Sequence, residues 1–288
     1  MLRLLPVCLL GALLCGCDAS IVAPAGPVGK AERLILFNSL AIMLTVVIPT
    51  IVATFVFAWW FRASNPKARY RPDWDFSGQL ELITWSIPTL IILFLSGVIW
   101  TGSHALDPAK RLGERSLEIQ VVSLDWKWLF IYPGQGVASV NQAVVPTGVP
   151  VHFTLTSASV MNQFFVPQLG GMIATMNRMV THLNVQADRS GTFYGQSAQF
   201  SGDGFSDMHF MVRAVSDREF THWVDTARRE GPSLDRASYS QLAEQSRDVA
   251  PFTYRDADPA LFAAIVNHSI APAPGPRPEP REKARDVH

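Results

Sequence analysis

Cysteine is almost missing from this 288-residue chain, and its three cysteines all lie within the first 17 residues. They are Cys8, Cys15 and Cys17. The remaining chain therefore cannot form a disulfide framework. It also offers no thiolate to a soft metal ion such as copper.

Charge is scarce as well, since only 17% of the residues are charged and the formal net charge is zero. No cluster of Lys and Arg is dense enough for a nucleic-acid partner. The GxGxxG, GxxxxGK[ST], GxSxG, HExxH and CxxC signatures of common catalytic and binding sites are absent. The seven histidines are scattered, and we expect them to be solvated or capping residues.

The N-terminus has the pattern of a secretory signal. Arg3 precedes an apolar run over residues 4–14, which is too short to span a bilayer as a mature helix. The run ends in Leu-Cys-Gly-Cys, which resembles a bacterial lipoprotein signal cleaved after residue 16 and acylated at Cys17. Asp18 resembles a signal for retention in the inner membrane. An ordinary signal peptide or an uncleaved anchor is the alternative.

Two uncharged runs, residues 34–61 and 82–106, are long enough to cross a membrane. We predict spans at about 36–61 and 82–104, within a membrane-anchor segment of residues 17–106. Buried helices of a soluble core are the less favoured alternative. The loop 62–79 has four basic and two acidic residues, which favours the cytoplasmic side.

Past residue 107 the pattern changes to short β-branched runs separated by glycines, as in an all-β sandwich or barrel. We assign this pattern to a periplasmic domain at 115–216. Helical periodicity follows at 217–229, 234–247 and 259–269, within a helical region at 217–270. A Pro-rich tail at 271–288 ends the chain.

Three motifs in order carry a family resemblance: VVSLDWKWLFIYP at 121–133, SVMNQFFVP at 159–167 and QSAQFSGDGFSDM at 196–208. The chain resembles subunit II of the haem–copper terminal oxidases, in particular the copper-less form found in cytochrome bo-type ubiquinol oxidases. The resemblance implies a membrane-anchored mixed fold. It would comprise a hairpin of two transmembrane helices, a periplasmic all-β cupredoxin-like Greek-key domain and a short C-terminal helical region.

In copper-bearing relatives, the third motif and a histidine upstream of it bind a two-copper centre. Here those positions carry hydroxyl, amide and phenyl side chains, and one thioether, so the resemblance implies that no metal is bound. The two cysteine positions read Ser197 and Ser201, the glutamate Gln199, the histidines Asn162 and Phe205, and the methionine Met208.

The resemblance implies a subunit of a ubiquinol oxidase, which reduces oxygen to water and pumps protons. This chain would be non-catalytic and hold no cofactor, with haems and one copper in the partner subunit I. Expected partners are subunit I, further small membrane subunits, ubiquinol and membrane lipid, in a bacterial inner membrane with the main domain periplasmic. The alternatives are a copper-bearing subunit II of a cytochrome c oxidase, and a free lipoprotein adhesin or copper chaperone.

Glu81, at the cytoplasmic start of the second span, has two readings. The resemblance makes it the entry to a proton pathway into the catalytic subunit. Alternatively, it is a carboxylate in the first turn of a helix, which the helix dipole stabilises. The aromatic residues Trp126 and Trp128 also have two readings, as electron-transfer residues or, as we favour, as packing residues.

Overall fold

The computed structural model describes residues 21–69 and 71–275. The predicted signal peptide, Cys17 and most of the Pro-rich tail lie outside the described residues. The chain divides into two compact units. Among the described residues, one unit lies within 31–107, and the other combines residues 21–30 with residues 108–275. We call residues 108–275 the head.

The first unit consists of two long helices, α1 at Pro27–Trp60 and α2 at Gly78–Ala105. Both are long and apolar enough to cross a membrane, and the apolar window of neither is buried. The two predicted apolar helices are thus confirmed. α1 begins nine residues before the predicted span, because Pro27 can start a helix and charged residues are tolerated in its first turns.

Hydroxyl groups inside these apolar helices are satisfied within their own helix. Thr50 donates to the carbonyl of Val46 at 2.8 Å, and Thr89 donates to that of Trp85 at 2.7 Å. Such bonds remove the cost of placing an unpaired hydroxyl in an apolar medium.

The head contains eleven strands in two sheets. They are β1 Leu117–Leu124, β2 Lys127–Tyr132, β3 Val137–Val140, β4 Gln142–Pro146, β5 Val151–Ser157, β6 Asn162–Phe165, β7 Met172–Thr175, β8 Thr181–Val185, β9 Gly191–Ser197, β10 His209–Val215 and β11 Phe252–Tyr254. The six-stranded sheet has the order β11-β3-β2-β1-β5-β8, and the five-stranded sheet β4-β10-β9-β6-β7. The pairs β1–β5 and β4–β10 are parallel, as crossover connections in a sandwich require. This is the cupredoxin-like sandwich that the resemblance implied.

An aromatic cluster fills the space between the two sheets. Phe164 lies at its centre, with ring centroids 4.8 Å from Phe210, 5.2 Å from Phe153 and 5.4 Å from Trp128. These rings come from both sheets, so their contacts fix how the sheets pack.

The outer face of the six-stranded sheet is apolar too, and the chain after residue 216 covers it. Leu124, Leu129 and Ile131 on that face pack against a second core cluster that includes Leu234 and Leu261. Three helices, α3 Asp217–Arg229, α4 Arg236–Leu242 and α5 Leu261–Val266, and strand β11 form this C-terminal region. The second and third helices are shorter than the periodicity indicated, and β11 was not predicted.

The start of α3 is fixed by a capping box. Ser216 accepts from the backbone amide of Glu219, and the Glu219 carboxylate accepts from the Ser216 amide at 2.9 Å. Hydrogen bonding to Ser216 lowers the pKa of Glu219. At its other end Arg228 donates to the carbonyl of Gln135, which holds the helix against the sheet.

The N-terminal segment packs on the same β domain. The Ala25 amide donates to the carbonyl of Gln168 at 2.7 Å, and Lys30 pairs with Asp188 at 2.6 Å. A Cβ on Gly26 would lie 2.0 Å from the carbonyl oxygen of Gln186, so glycine is required by this close approach. The residues just before α1 are therefore fastened to the domain.

Candidate functional site

The motif at 196–208 forms the connection from β9 to β10, beside the start of β6. Asn162 begins β6, and Ser197 ends β9. These strands are neighbours, with Phe164 paired to Ser197. The Ser197 hydroxyl donates to Asn162 Oδ1 at 3.0 Å, and both side chains are buried.

Two further positions of the motif, Ser201 and Met208, lie close to Ser197. The Ser197 amide donates to the carbonyl of Met208 at 3.1 Å. Ser201 Oγ lies 3.9 Å from Met208 Sδ, and both residues are buried. The structure thus brings together Asn162, Ser197, Ser201 and Met208, which are up to 46 residues apart in sequence.

The other two positions lie farther out. The Gln199 side chain is partly exposed, and only its carbonyl joins the network, accepting from Ser197 Oγ at 3.2 Å. Phe205 starts a 3-10 turn, Phe205–Asp207, and its ring packs 5.7 Å from that of exposed Phe200. These two residues shape the surface of the loop.

The donor set does not fit a two-copper centre. Soft copper requires thiolate and imidazole ligands, and the clustered side chains supply hydroxyls, an amide and one thioether. Ser197 is also hydrogen-bonded to Asn162 Oδ1 and to the Gln199 carbonyl, and Ser201 Oγ lies next to Met208 Sδ. Among residues 21–69 and 71–275, no group of three or more His, Cys, Asp or Glu residues could hold a metal ion.

Trp126 closes the loop from the side of the six-stranded sheet. Its indole Nε1 donates to the carbonyl of Ser201 at 3.1 Å, and Arg247 stacks over the ring at 5.3 Å. A Cβ on Gly204 would lie 2.3 Å from the Trp126 ring, so only glycine fits beneath it. Trp126 has a φ of 70°, a conformation that non-glycine residues rarely adopt. The favoured reading of Trp126 and Trp128 as packing residues matches these contacts, since Trp128 lies wholly within the core.

The two charged residues of the Asp125-Trp126-Lys127 turn are buried and point to the C-terminal region. Asp125 accepts from the amide of Gly275 at 2.9 Å and from the hydroxyl of Ser159. Lys127 Nζ donates to the carbonyl of Glu244 at 2.6 Å and to the Ser246 hydroxyl. In the sequence, Asp125 and Lys127 are the two charged residues of the mostly apolar run 121–132, and this pattern indicates that both are buried.

Burial lowers the pKa of Lys127 to about 8, against the opposing attraction of Asp125 and Glu244. Desolvation disfavours the ammonium form. Burial also raises the pKa of Tyr132 and Tyr239. The free energy that folding gains from this region therefore depends on pH.

The expectation that every histidine is solvated or capping is wrong for His152. Its side chain is buried between β1 and β8, with Nδ1 2.8 Å from Asn184 Oδ1 and its ring stacked 5.1 Å from that of His182. Desolvation, and then the neighbouring His152, lower the pKa of His182. Alternation along β5 places residue 152 on a covered face of the sheet. Because histidine is polar, the sequence did not indicate that this position is buried.

Glu81 lies in the first turn of α2, in the other unit. Its backbone amide donates to the carbonyl of Ser77 at 3.0 Å, and its side chain is exposed. This position fits both readings given to Glu81 from the sequence.

Most of the chain is similar in sequence to known proteins. A family model described as the periplasmic domain of cytochrome c oxidase subunit II matches residues 119–215, and one described as the COX aromatic rich motif matches residues 228–272. Ubiquinol oxidase subunit 2 of Acetobacter aceti is 44% identical over 258 residues, which cover 88% of this chain and 84% of that protein. Cytochrome bo(3) ubiquinol oxidase subunit 2 of Pseudomonas aeruginosa is 44% identical over 267 residues, covering 92% and 80%.

A solved structure is also similar, the periplasmic domain of subunit II of cytochrome oxidase from Bradyrhizobium japonicum. It is 28% identical, with a TM-score of 0.39, and the match covers 41% of this chain and 97% of that domain. The family assignment depends on the curated relatives and not on this likeness.

The buried Lys127 gives a pH signature to the stability of the head. A lysine whose folded pKa is near 8 and whose unfolded value is near 10.5 binds fewer protons in the folded state between these values. The Lys127 contribution to folding stability should therefore rise with pH across that window, by about 2 kcal/mol from pH 8 to pH 10. The raised pKa values of Tyr132 and Tyr239 act in the opposite direction as the pH approaches 10. Lys127→Met should lack this component, and Lys110→Met, at an exposed site, should retain it. Urea unfolding of residues 108–275 at several pH values measures the difference, and equal slopes for wild type and Lys127→Met would refute the assignment.

Proposed function

The chain belongs to the ubiquinol oxidase subunit 2 family, and we propose that within the oxidase it is a non-catalytic subunit without a copper centre. One observation carries the proposal. The positions that would bind two coppers instead form a hydrogen-bonded set of a serine, an amide and backbone carbonyls. Haems and one copper belong, on this proposal, to the partner subunit I.

The source of electrons gives a physical reason for the lost metal. A copper relay in the periplasmic domain serves a soluble electron donor that docks from outside. Ubiquinol is dissolved in the membrane and can deliver electrons to subunit I directly. The domain then keeps its fold to support the assembly, and its ligand positions are free to change.

The alternative of a copper-bearing electron-transfer subunit is less supported. It would need thiolates, and the mature chain after Cys17 has none. The relatives from Acetobacter aceti and Pseudomonas aeruginosa, each at 44% identity, are both named as ubiquinol oxidase subunits.

The two apolar helices support a multi-pass placement in the bacterial inner membrane. With an exported N-terminus, the loop between α1 and α2 faces the cytoplasm and the head faces the periplasm. The four basic residues of that loop, against two acidic ones, agree with this orientation.

The copper proposal is tested on the isolated head. Unmodified residues 108–275 should show no purple or blue absorption when copper is added. The quintuple variant Asn162→His, Ser197→Cys, Gln199→Glu, Ser201→Cys and Phe205→His, with Met208 retained, should develop a purple band. A matched quadruple variant that keeps Ser197 should not, because one bridging thiolate is then missing. Strong copper absorption by the unmodified head would refute the proposal.

We propose further that Glu81 takes up protons from the cytoplasm for subunit I. Its carboxylate is exposed in the first turn of α2, beside the membrane boundary that the loop marks. Ionisable groups at such positions commonly belong to proton paths. Stabilisation of the helix start by the same charge, roughly 0.3–1 kcal/mol, is compatible with this role.

Replacing the carboxyl separates the two roles of Glu81. Glu81→Gln should retain assembly and haem content but slow ubiquinol-driven oxygen consumption per haem by about tenfold or more, because an amide cannot exchange a proton at neutral pH. Glu81→Asp should keep most of the activity. Asp73→Asn, in the preceding loop, is the control for loss of one nearby negative charge. Equal turnover in wild type and Glu81→Gln would make Glu81 a structural residue only.

For Cys17, which lies outside the described residues, we propose lipid attachment after signal cleavage. Mass spectrometry of the mature N-terminus should find an acylated Cys17, and Cys17→Ala should leave the precursor uncleaved. Membrane attachment should survive, because two spanning helices hold far more strongly than acyl chains. A mature N-terminus at another, unmodified residue would contradict the assignment.

A further inference from the structure

The segment between α1 and α2 forms an open pocket of about 650 Å³. Its lining has two chemical kinds, three cations and three aromatic rings. These are Lys67, Arg69, Arg71, Trp60, Phe61 and Trp74. None of these residues belongs to the motif at 196–208, and none is Glu81, the proposed site of proton entry.

The three pocket cations differ from the remaining cation of the loop, Arg62, in their contacts within the described residues. A fourth cation of the loop, Arg62, is engaged: it stacks over the Trp59 ring at 4.9 Å and donates to the Trp59 carbonyl at 3.2 Å. By contrast, the ion pairs in the described part of the chain include none with Lys67, Arg69 or Arg71. The two acidic residues of the loop, Asp73 and Asp75, are likewise absent from those ion pairs, so the pocket keeps an excess of positive charge.

The aromatic residues place this charge at a membrane boundary. Trp60 and Phe61 mark the end of the apolar helix α1, and 56% of the Trp74 surface is exposed. Tryptophan rings favour the headgroup level, where one side is apolar and the other wet. Phospholipid phosphates occupy the same level.

Guanidinium and ammonium groups bind phosphate through charge-assisted hydrogen bonds, and arginine can do so with two parallel bonds. The combination of three such cations with rings for glycerol and acyl carbons matches one class of ligand. We propose that this pocket binds the headgroup of an anionic phospholipid of the cytoplasmic leaflet. The choice of the cytoplasmic leaflet rests on the proposed function, in which the loop faces the cytoplasm. The ability of the pocket to bind phosphate does not depend on that orientation.

The pocket's charge distinguishes this ligand from the other occupants. A zwitterionic lipid brings its own cation and leaves the pocket's excess charge uncompensated. A segment of another subunit would have to be acidic to replace the phosphate. Free inorganic phosphate would use the three cations and leave the rings of Trp60, Phe61 and Trp74 without a role.

The test uses the purified, lipid-depleted oxidase complex in non-ionic detergent, titrated with phosphatidylglycerol and monitored by native mass spectrometry. The variant is Lys67→Gln with Arg69→Gln and Arg71→Gln. It should weaken one phosphatidylglycerol site by about 100-fold, since each cation near an anionic lipid surface contributes roughly a fivefold factor. Phosphatidylcholine binding should not change.

The matched control removes three exposed arginines of the head, Arg218→Gln, Arg229→Gln and Arg236→Gln. It should leave the phosphatidylglycerol site intact. Equal affinity in the wild type and the loop variant would overturn the proposal. Displacement of the lipid by millimolar inorganic phosphate would assign the pocket to the free anion, which also overturns it.

Two parallel measurements keep the outcomes separate. Haem content and ubiquinol oxidation report the proposed function, so an inactive complex that still binds phosphatidylglycerol would leave the lipid site standing. If the triple variant does not assemble, Arg69→Gln and Arg71→Gln are tested singly, each with an expected loss of about fivefold. Wild-type affinity for phosphatidylglycerol in both single variants would reject the site. A variant complex that loses an acidic subunit but keeps its bound phosphatidylglycerol would reject it as well.

Discussion

Strand β2 is apolar on both of its faces, and the head is organised around the need to cover both. Trp128 and Phe130 point to the five-stranded sheet, while Leu129 and Ile131 point the other way. An antiparallel sheet usually leaves one face to water. Here the second face would expose a wide apolar surface, so the C-terminal helices and β11 belong to the same unit as the sandwich. The buried charges Asp125 and Lys127, at the end of that strand, hold this cover in register through hydrogen bonds to its backbone.

The same constraint explains how the motif at 196–208 keeps its shape through contacts within the protein. Met208 and Ser201 are buried at one end of the core, with Trp126 lying across the loop. The bond from Ser197 to Asn162 joins the two places that a metal would join. A loop with these contacts keeps its shape by packing and by the hydrogen bonds of Ser197 to Asn162 and to the Gln199 carbonyl.

Prediction from the sequence succeeded where the signal was local. Uncharged runs located both membrane helices, and the alternating strands with their glycines indicated a β sandwich. α1 begins before the predicted span, because Lys30 and other charges in its first turns interrupt the uncharged run without ending the helix. β11 is only three residues long, and its pairing with β3 more than a hundred residues earlier leaves no local pattern.

At the candidate site, the resemblance identified the six positions, and the structure shows that four of them meet while Gln199 and Phe205 remain outside the buried set. The apolar run around Asp125 and Lys127 signalled that both are buried, but their partners, like that of His152, lie far along the chain and could not be predicted. Asp125 meets the backbone at Gly275, 150 residues away. Periodicity reports which face a residue occupies and does not report what lies on that face.

The fastening of Gly275 to Asp125 has a consequence for the order in which the protein is made. Synthesis runs from the N-terminus, so β2 and the Asp125 carboxylate leave the ribosome long before the segment that covers them. Until the last residues of the head are available, the sheet has one uncovered apolar face and a charge without its final partner. Closing such a long loop is slow compared with forming local hairpins, and exposed apolar strands are prone to aggregate. The head can thus be completed only after residue 275 has been synthesised, and until then its uncovered sheet remains prone to aggregation.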